Sequence, residues 1–228
     1  MQIMRTPILV IIFLALGACS QAQDCKQYFF LQNNKTVEMT MYSKKGDPAG
    51  KTVYVISDVQ NAGGITTGTI NTEIFDKKGK SIAKGVNNVK CTGGVMQMDM
   101  KMMIPAGSME QFRNTEMKGE SNYLEYPSNM KEGDQLKDAS FTMTGQNGPM
   151  TYKMDMNITD RKVQGKESIT TTAGTWDCFK ITSKSKMNMK MGINIPMNFE
   201  TTEWYAPGFG VVKTESNKGG GTEITAVR

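Results

Sequence analysis

Histidine is absent from the 228-residue sequence. Its absence excludes Ser-His and Cys-His dyads, an imidazole general base and His-ligated zinc. The sequence also lacks GxSxG, P-loop, GxGxxG and HExxH motifs, any CxxC pair and any DxDxDG calcium loop. Its Asp and Glu residues are scattered, and none pair as a glycosidase acid and nucleophile would. These gaps predict a chain that is not an enzyme and needs no cofactor. Proline is scarce, at 7 residues, and no Pro- or Ser-rich linker divides the chain. The apolar fraction of 38% and charged fraction of 21% exclude wholesale disorder, collagen and a polytopic membrane protein. A net charge of +5 is small and dispersed. Lysine runs such as Lys77-Lys78-Gly79-Lys80 fall in turns and read as solvated loop charges, so no nucleic-acid partner is expected.

The amino terminus carries the first positive signal. Arg5 precedes a ten-residue apolar run from Pro7 to Leu16. The run is short of the roughly 20 residues of a membrane span and suits the apolar region of an export signal. Leu16-Gly17-Ala18-Cys19 follows as a lipobox, in which Cys19 is acylated and becomes the mature terminus. Cleavage after Ala22 is the competing reading. Residues 1–18 are thus expected to be a signal peptide and residues 24–228 one β domain. The expected location is the periplasm, the outer membrane or the cell surface, with a lipid anchor as the sole membrane attachment. With Cys19 either acylated or removed, Cys25, Cys91 and Cys178 are left. One pair is expected to bond in an oxidising compartment, leaving a buried, inert thiol, with connectivity open.

The remainder alternates between apolar and polar residues. Segments 35–43, 51–59, 95–103, 150–158, 177–191, 195–206, 209–216 and 222–227 place apolar residues at i and i+2, with β-rich segments at 65–75 and 81–90 between them and Gly-centred turns separating the series. This is the pattern of half-buried antiparallel strands. Only 105–114 signals a helix, with Ser108 as N-cap. With no long amphipathic helix to cover a sheet, the apolar face must be covered by curling. The expected fold is all-β, an antiparallel meander curled into a half-barrel or open barrel with at most one or two short helices. A transmembrane barrel is disfavoured. Its apolar face would be interrupted by Ser183, Ser185 and Glu203, and Ala-Val-Arg supplies no closing aromatic.

Several motifs carry a family likeness: Asp24-Cys25-Lys26, the Lys44-Lys45-Gly46 turn, Glu125-Tyr126-Pro127-Ser128-Asn129-Met130-Lys131-Glu132-Gly133-Asp134, Thr172-Ala173-Gly174-Thr175-Trp176-Asp177-Cys178-Phe179-Lys180-Ile181 and Glu203-Trp204-Tyr205-Ala206-Pro207-Gly208-Phe209-Gly210-Val211-Val212-Lys213. With these the chain resembles the TapB-like family of small secreted proteins and lipoproteins of Gram-negative bacteria, a domain of unknown function. Thr172 stands where the family usually has proline. The resemblance implies a periplasmic or surface-facing β half-barrel, loosely like the lipoprotein-carrier folds, and implies no catalytic residues. Each motif also has a structural reading as a turn or corner. Pro207-Gly208 suits the centre of a type II turn, and Gly174 a hairpin with Trp176 and Phe179 packed nearby.

Methionine is abundant, at 20 residues. Met96, Met98 and Met100, then Met154 and Met156, then Met187, Met189 and Met191 recur in phase. They read as core filling, or as a soft apolar groove for a lipid, a hydrophobic small molecule or a segment of an envelope protein. A further alternative is a Cu(I) site on Met98, Met100, Met187 and Met189, since MxM on a strand sets two thioethers about 7 Å apart. The functional expectation is an exported, non-catalytic binding or assembly protein, with a purely structural envelope role as another alternative.

Overall fold

The computed structural model describes residues 25–104, 116–118, 122–147 and 149–228. Its strands are β1 (Thr36–Tyr42), β2 (Pro48–Ala62), β3 (Ile65–Asp76), β4 (Ser81–Thr92), β5 (Val95–Asp99), β6 (Glu116–Lys118), β7 (Tyr123–Pro127), β8 (Ala139–Asn147), β9 (Met150–Thr171), β10 (Gly174–Met191), β11 (Ile193–Ala206), β12 (Gly210–Ser216) and β13 (Gly221–Val227). All belong to one 13-stranded antiparallel sheet, in the order β6-β8-β9-β10-β11-β12-β13-β1-β2-β3-β4-β5-β7. The sheet curls into a nearly closed barrel whose single seam lies between β7 and the β8–β9 side. Helical structure among the described residues is limited to 3-10 turns at Cys25–Gln27, Phe29–Leu31 and Met100–Met103. The helix expected over 105–114, like the signal segment and Cys19, lies outside the described residues.

Side-chain alternation accounts for the strands. In β10, Ile181, Ser183, Ser185, Met187 and Met189 are buried, while Lys184, Lys186 and Lys190 are exposed. Long strands cannot keep one phase around a curved wall, and bulges reset it. Asp160, with φ +54°, marks such a bulge where the β9–β10 register shifts between Thr182 and Lys184. The phase therefore advances one residue. After Ile158, the next buried side chain is Arg161 instead of Asp160.

Two expectations need correction. The strand expected over 95–103 ends at Asp99, whose carboxylate accepts a bond from the Lys101 N–H at 3.0 Å and caps the 3-10 turn that follows. Met100 therefore does not continue the strand phase of Met96 and Met98. Strands β6, β7 and β8 lie where no strand was expected, and Tyr126-Pro127, read as a corner, end β7.

The hairpins divide the barrel into two poles. At one pole the turns β2–β3, β4–β5, β9–β10 and β11–β12 gather around the amino-terminal segment, which plugs the barrel. Phe29 N–H donates to Gly208 O at 2.8 Å. Phe209 packs against Phe29, Phe30 and Trp176 with ring centroids 5.1, 5.6 and 4.6 Å away. Gly208, at φ +79°, closes a turn in which Phe209 N–H donates to Ala206 O at 3.0 Å, so Pro207-Gly208 do occupy its centre. Gly68 makes room for the plug, since a Cβ there would stand 3.2 Å from Phe30 O. Cys25 is disulfide-bonded to Cys91 of β4, across a sequence separation of 66. Cys178 is the free thiol. Burial and the carboxylates of Asp177 and Glu167 push its pKa up to about 12.

A Cys25→Ser/Cys91→Ser chain should lose about 4 kcal/mol of unfolding free energy in denaturant titrations. The Cys178 thiol should stay protonated and unreactive toward alkylating reagents at pH 8 in the folded chain, and react once denaturant opens the barrel.

Candidate ligand cavity

The opposite pole is open. Below it lies a cavity of about 1340 Å³, walled by inward residues of most strands. Its shape follows from the topology, because the plug fills one end of the barrel and no segment among the described residues fills the other. Apolar lining comes from β1 (Met39), β3 (Ile74), β5 (Met98), β8 (Met143), β9 (Met156, Ile158) and β10 (Met187).

The long hairpins place methionines side by side. One row across β8, β9, β10 and β11 reads Met143, Met154, Met189, Ile195, and the next reads Phe141, Met156, Met187, Met197. Directly opposed residues on neighbouring strands have Cβ atoms about 5 Å apart, so each row is a continuous contact chain. On the far side, Met96 of β5 opposes Cys91 and Tyr126, and Met98 opposes Val89 and Leu124.

The structure thus separates the expected groove residues. Met96, Met98, Met100, Met154, Met156, Met187 and Met189 are all buried. Met98, Met156 and Met187 line the cavity, whereas Met96, Met100, Met154 and Met189 pack into the surrounding core. The Met191 backbone ends β10, and its side chain lies outside the described residues. The four thioethers of the Cu(I) alternative divide in the same way, Met98 and Met187 on the cavity wall, Met100 and Met189 in the core. Among the described residues, no cluster of three or more His, Cys, Asp or Glu could hold a metal ion.

Polar residues line the cavity on many strands, and one linked group of them is buried. Ser183, Ser185 and Glu203, which interrupt the apolar stripe in sequence, all line the cavity, as does Arg161. The Arg161 side chain is fully buried, and its Nη2 lies 3.4 Å from Glu203 Oε1. Tyr126 donates its hydroxyl to Glu203 Oε2 at 3.0 Å. Burial, reinforced by the Glu203 charge, holds the Tyr126 pKa well above its ordinary value, so that hydroxyl remains a donor. The guanidinium carbon sits 4.9 Å from the Tyr126 ring centroid, and that ring stacks on Tyr205 at 4.4 Å with an interplanar angle of 2°. Burial raises the pKa of both Tyr28 and Tyr205, and neither hydroxyl reaches hydrogen-bonding geometry with a described partner.

Arg161 also holds the seam. Its Nη1 donates to Glu125 O of β7 and to Lys137 O, each at 3.1 Å. Beside it, Leu136 N–H donates to Arg161 O at 2.8 Å and Gly133 N–H to Val163 O at 2.9 Å. The missing β7–β9 ladder is thus replaced by one guanidinium and a short run of loop backbone. Arg161 and Tyr126 carry no sequence signal for this role. Arg161 is turned inward by the bulge, and Tyr126 reads as a corner residue.

Removing one member of a buried ion pair strands the other. Glu203→Leu should cost about 3–5 kcal/mol in urea unfolding. Arg161→Met with Glu203→Leu should cost at least 1 kcal/mol less than the sum of the single changes, a coupling of the size contacting groups show. Additivity would mean that the pair is not coupled.

Two solved structures share the fold. One is a Bacteroides fragilis protein assigned to export with a YmcC-like fold, 21% identical, TM-score 0.72, covering 86% of this chain and 96% of that one. The other is a Parabacteroides distasonis protein assigned as a lipoprotein, 22% identical, TM-score 0.75, covering 88% of this chain and 99% of that one. No curated protein matches the chain. A family model described as DUF3108-like matches residues 32–226, and the chain belongs to that family.

Proposed function

We propose that this chain is an exported, lipid-anchored, non-catalytic binding protein whose barrel interior holds a lipid or other hydrophobic small molecule. The observation that carries the reading is the cavity of about 1340 Å³, open at one pole and walled largely by methionine and aliphatic side chains. Drug-sized ligands occupy about 300–1,000 Å³, so this volume suits a longer apolar molecule. Methionine is a reasonable wall for such a guest, because its unbranched thioether repacks around varied shapes. The buried Arg161–Glu203 pair offers a hydrogen-bonding end for a polar group on an otherwise apolar ligand.

Export and anchoring rest on the amino-terminal sequence, with Cys19 as the acylation site. They are in keeping with the names of the Bacteroides fragilis and Parabacteroides distasonis proteins. A disulfide between Cys25 and Cys91 suits an oxidising compartment.

Native mass spectrometry of protein extracted from its host in mild detergent should show acylated Cys19 and a retained apolar ligand. The purified chain should take up N-phenyl-1-naphthylamine, and Ser185→Phe, which projects a ring into the cavity, should weaken that uptake at least about tenfold, as burying a Phe-sized group there would displace the dye. Unchanged uptake would place the dye elsewhere and remove the support for an interior ligand. Stoichiometric Cu(I) binding, abolished by Met187→Leu with Met189→Leu, would instead make the methionine wall a metal site.

A further inference from the structure

The hairpin turns sort by pole. At the closed pole they consist of Gly63-Gly64, Gly93-Gly94, Thr172-Ala173 and Pro207-Gly208-Phe209, without a charged residue. At the open pole, the β1–β2 turn carries Lys44 and Lys45, the β3–β4 turn carries Lys77, Lys78 and Lys80, and the β12–β13 turn carries Lys218. Lys190 stands at the β10–β11 turn. Acidic residues in these turns are Asp47 and Asp76, and Asp76 directs its carboxylate at the Lys78 and Lys80 N–H groups. The β8–β9 turn adds no lysine. Seven lysines against two aspartates therefore stand in or beside the turns around the cavity mouth.

The same pole exposes apolar side chains. Ile193, at the tip of the β10–β11 hairpin beside Lys190, is 70% exposed, and Val86 on the mouth is 57% exposed. Lys45, Lys78 and Lys218 are exposed, and among the described residues their side chains form no ion pair.

We infer that the open pole docks on an anionic lipid bilayer, with the lysine ring on the headgroups and Ile193 in the interface, so that the mouth opens onto the membrane. This bilayer is other than the one that holds the Cys19 anchor, which a short stretch of chain ties to Cys25 at the closed pole. Resting on the cavity reading, this inference names the source of the ligand. A bilayer fits better than an acidic protein for two reasons. The ring is made of lysines on glycine-containing turns, point charges suited to a diffuse negative surface and lacking the planar fork that fixes individual carboxylates. Behind the ring lies an apolar cavity, whose contents a membrane supplies directly.

The test is flotation of the Cys19→Ala chain, which cannot be acylated, with vesicles of phosphatidylglycerol in phosphatidylcholine and with phosphatidylcholine alone. Two variants remove equal charge: Lys45→Gln/Lys78→Gln/Lys218→Gln at the rim, and Lys131→Gln/Lys162→Gln/Lys166→Gln on the barrel body. Lys45, Lys78 and Lys218 give these turns their backbone N–H groups, which donate to Ser43 Oγ, Asp76 Oδ1 and Ser216 Oγ, so the rim triple should keep the parent's melting temperature. Binding to the anionic vesicles should fall roughly 100-fold in the rim triple and far less in the body triple, and should weaken in high salt. Ile193→Ser should weaken it by about tenfold. Equal losses in both triples, or equal binding to neutral vesicles, would overturn the docking surface. So would rim-dependent binding to soluble polyglutamate without binding to the vesicles, which would point to an acidic protein. N-phenyl-1-naphthylamine uptake is measured on the same samples. Its failure alongside rim-dependent flotation would remove the cavity reading and leave the docking surface standing.

Discussion

The Arg161 guanidinium is the point on which the closure of the barrel depends. An antiparallel sheet of this size has two edges, and each edge presents unpaired N–H and C=O groups. Here the edges approach without forming a full ladder. The gap is bridged by Arg161 Nη1 donating to carbonyls from β7 and from the following loop. A buried cation carries a large desolvation cost, which Glu203, the Tyr126 ring and those two carbonyls offset together. Closure of the seam and polarity inside the cavity are therefore a single arrangement. Neither can be altered without disturbing the other.

The fold was largely legible because period-two alternation survives in most strands. β10 shows why, since its inward residues stay in phase through Met187 and Met189 even where serine replaces an apolar side chain. Ser183, Ser185 and Glu203, read as interruptions, turn out to be the polar wall of the cavity. Legibility failed where the backbone departs from the regular repeat. The bulge at Asp160 advances the phase by one residue, and a second register shift follows between Val163 and Gly165, so simple counting would place Arg161 in solvent. Asp99 ends β5 early by capping a turn, which takes Met100 out of the strand phase. Strand β8 lies in a Gly- and Thr-containing segment whose inward residues, Phe141 and Met143, are too few to announce a strand.

The cavity methionines were also only half legible. Phase identifies a face but not its depth. Met154 and Met156 share a face of β9, yet only Met156 borders the cavity. Met143 joins the lining from β8, a strand that carries no MxM repeat. What gathers the lining methionines is the curvature of the sheet, a property of bulges, turns and cross-strand packing together.

The disulfide has a mechanical consequence. Cys25 precedes the plug, and Cys91 lies in β4 with β3 and β5 paired on either side at Thr66 and Met96. Tension applied to the chain upstream of Cys25 passes through the sulfur bridge directly into the sheet, where it loads the flanking ladders in shear. The segment from Tyr28 to Leu31 carries none of that load. The stopper at the base of the barrel therefore stays seated while the protein is pulled, and reduction of the bridge would reroute the force through the stopper itself.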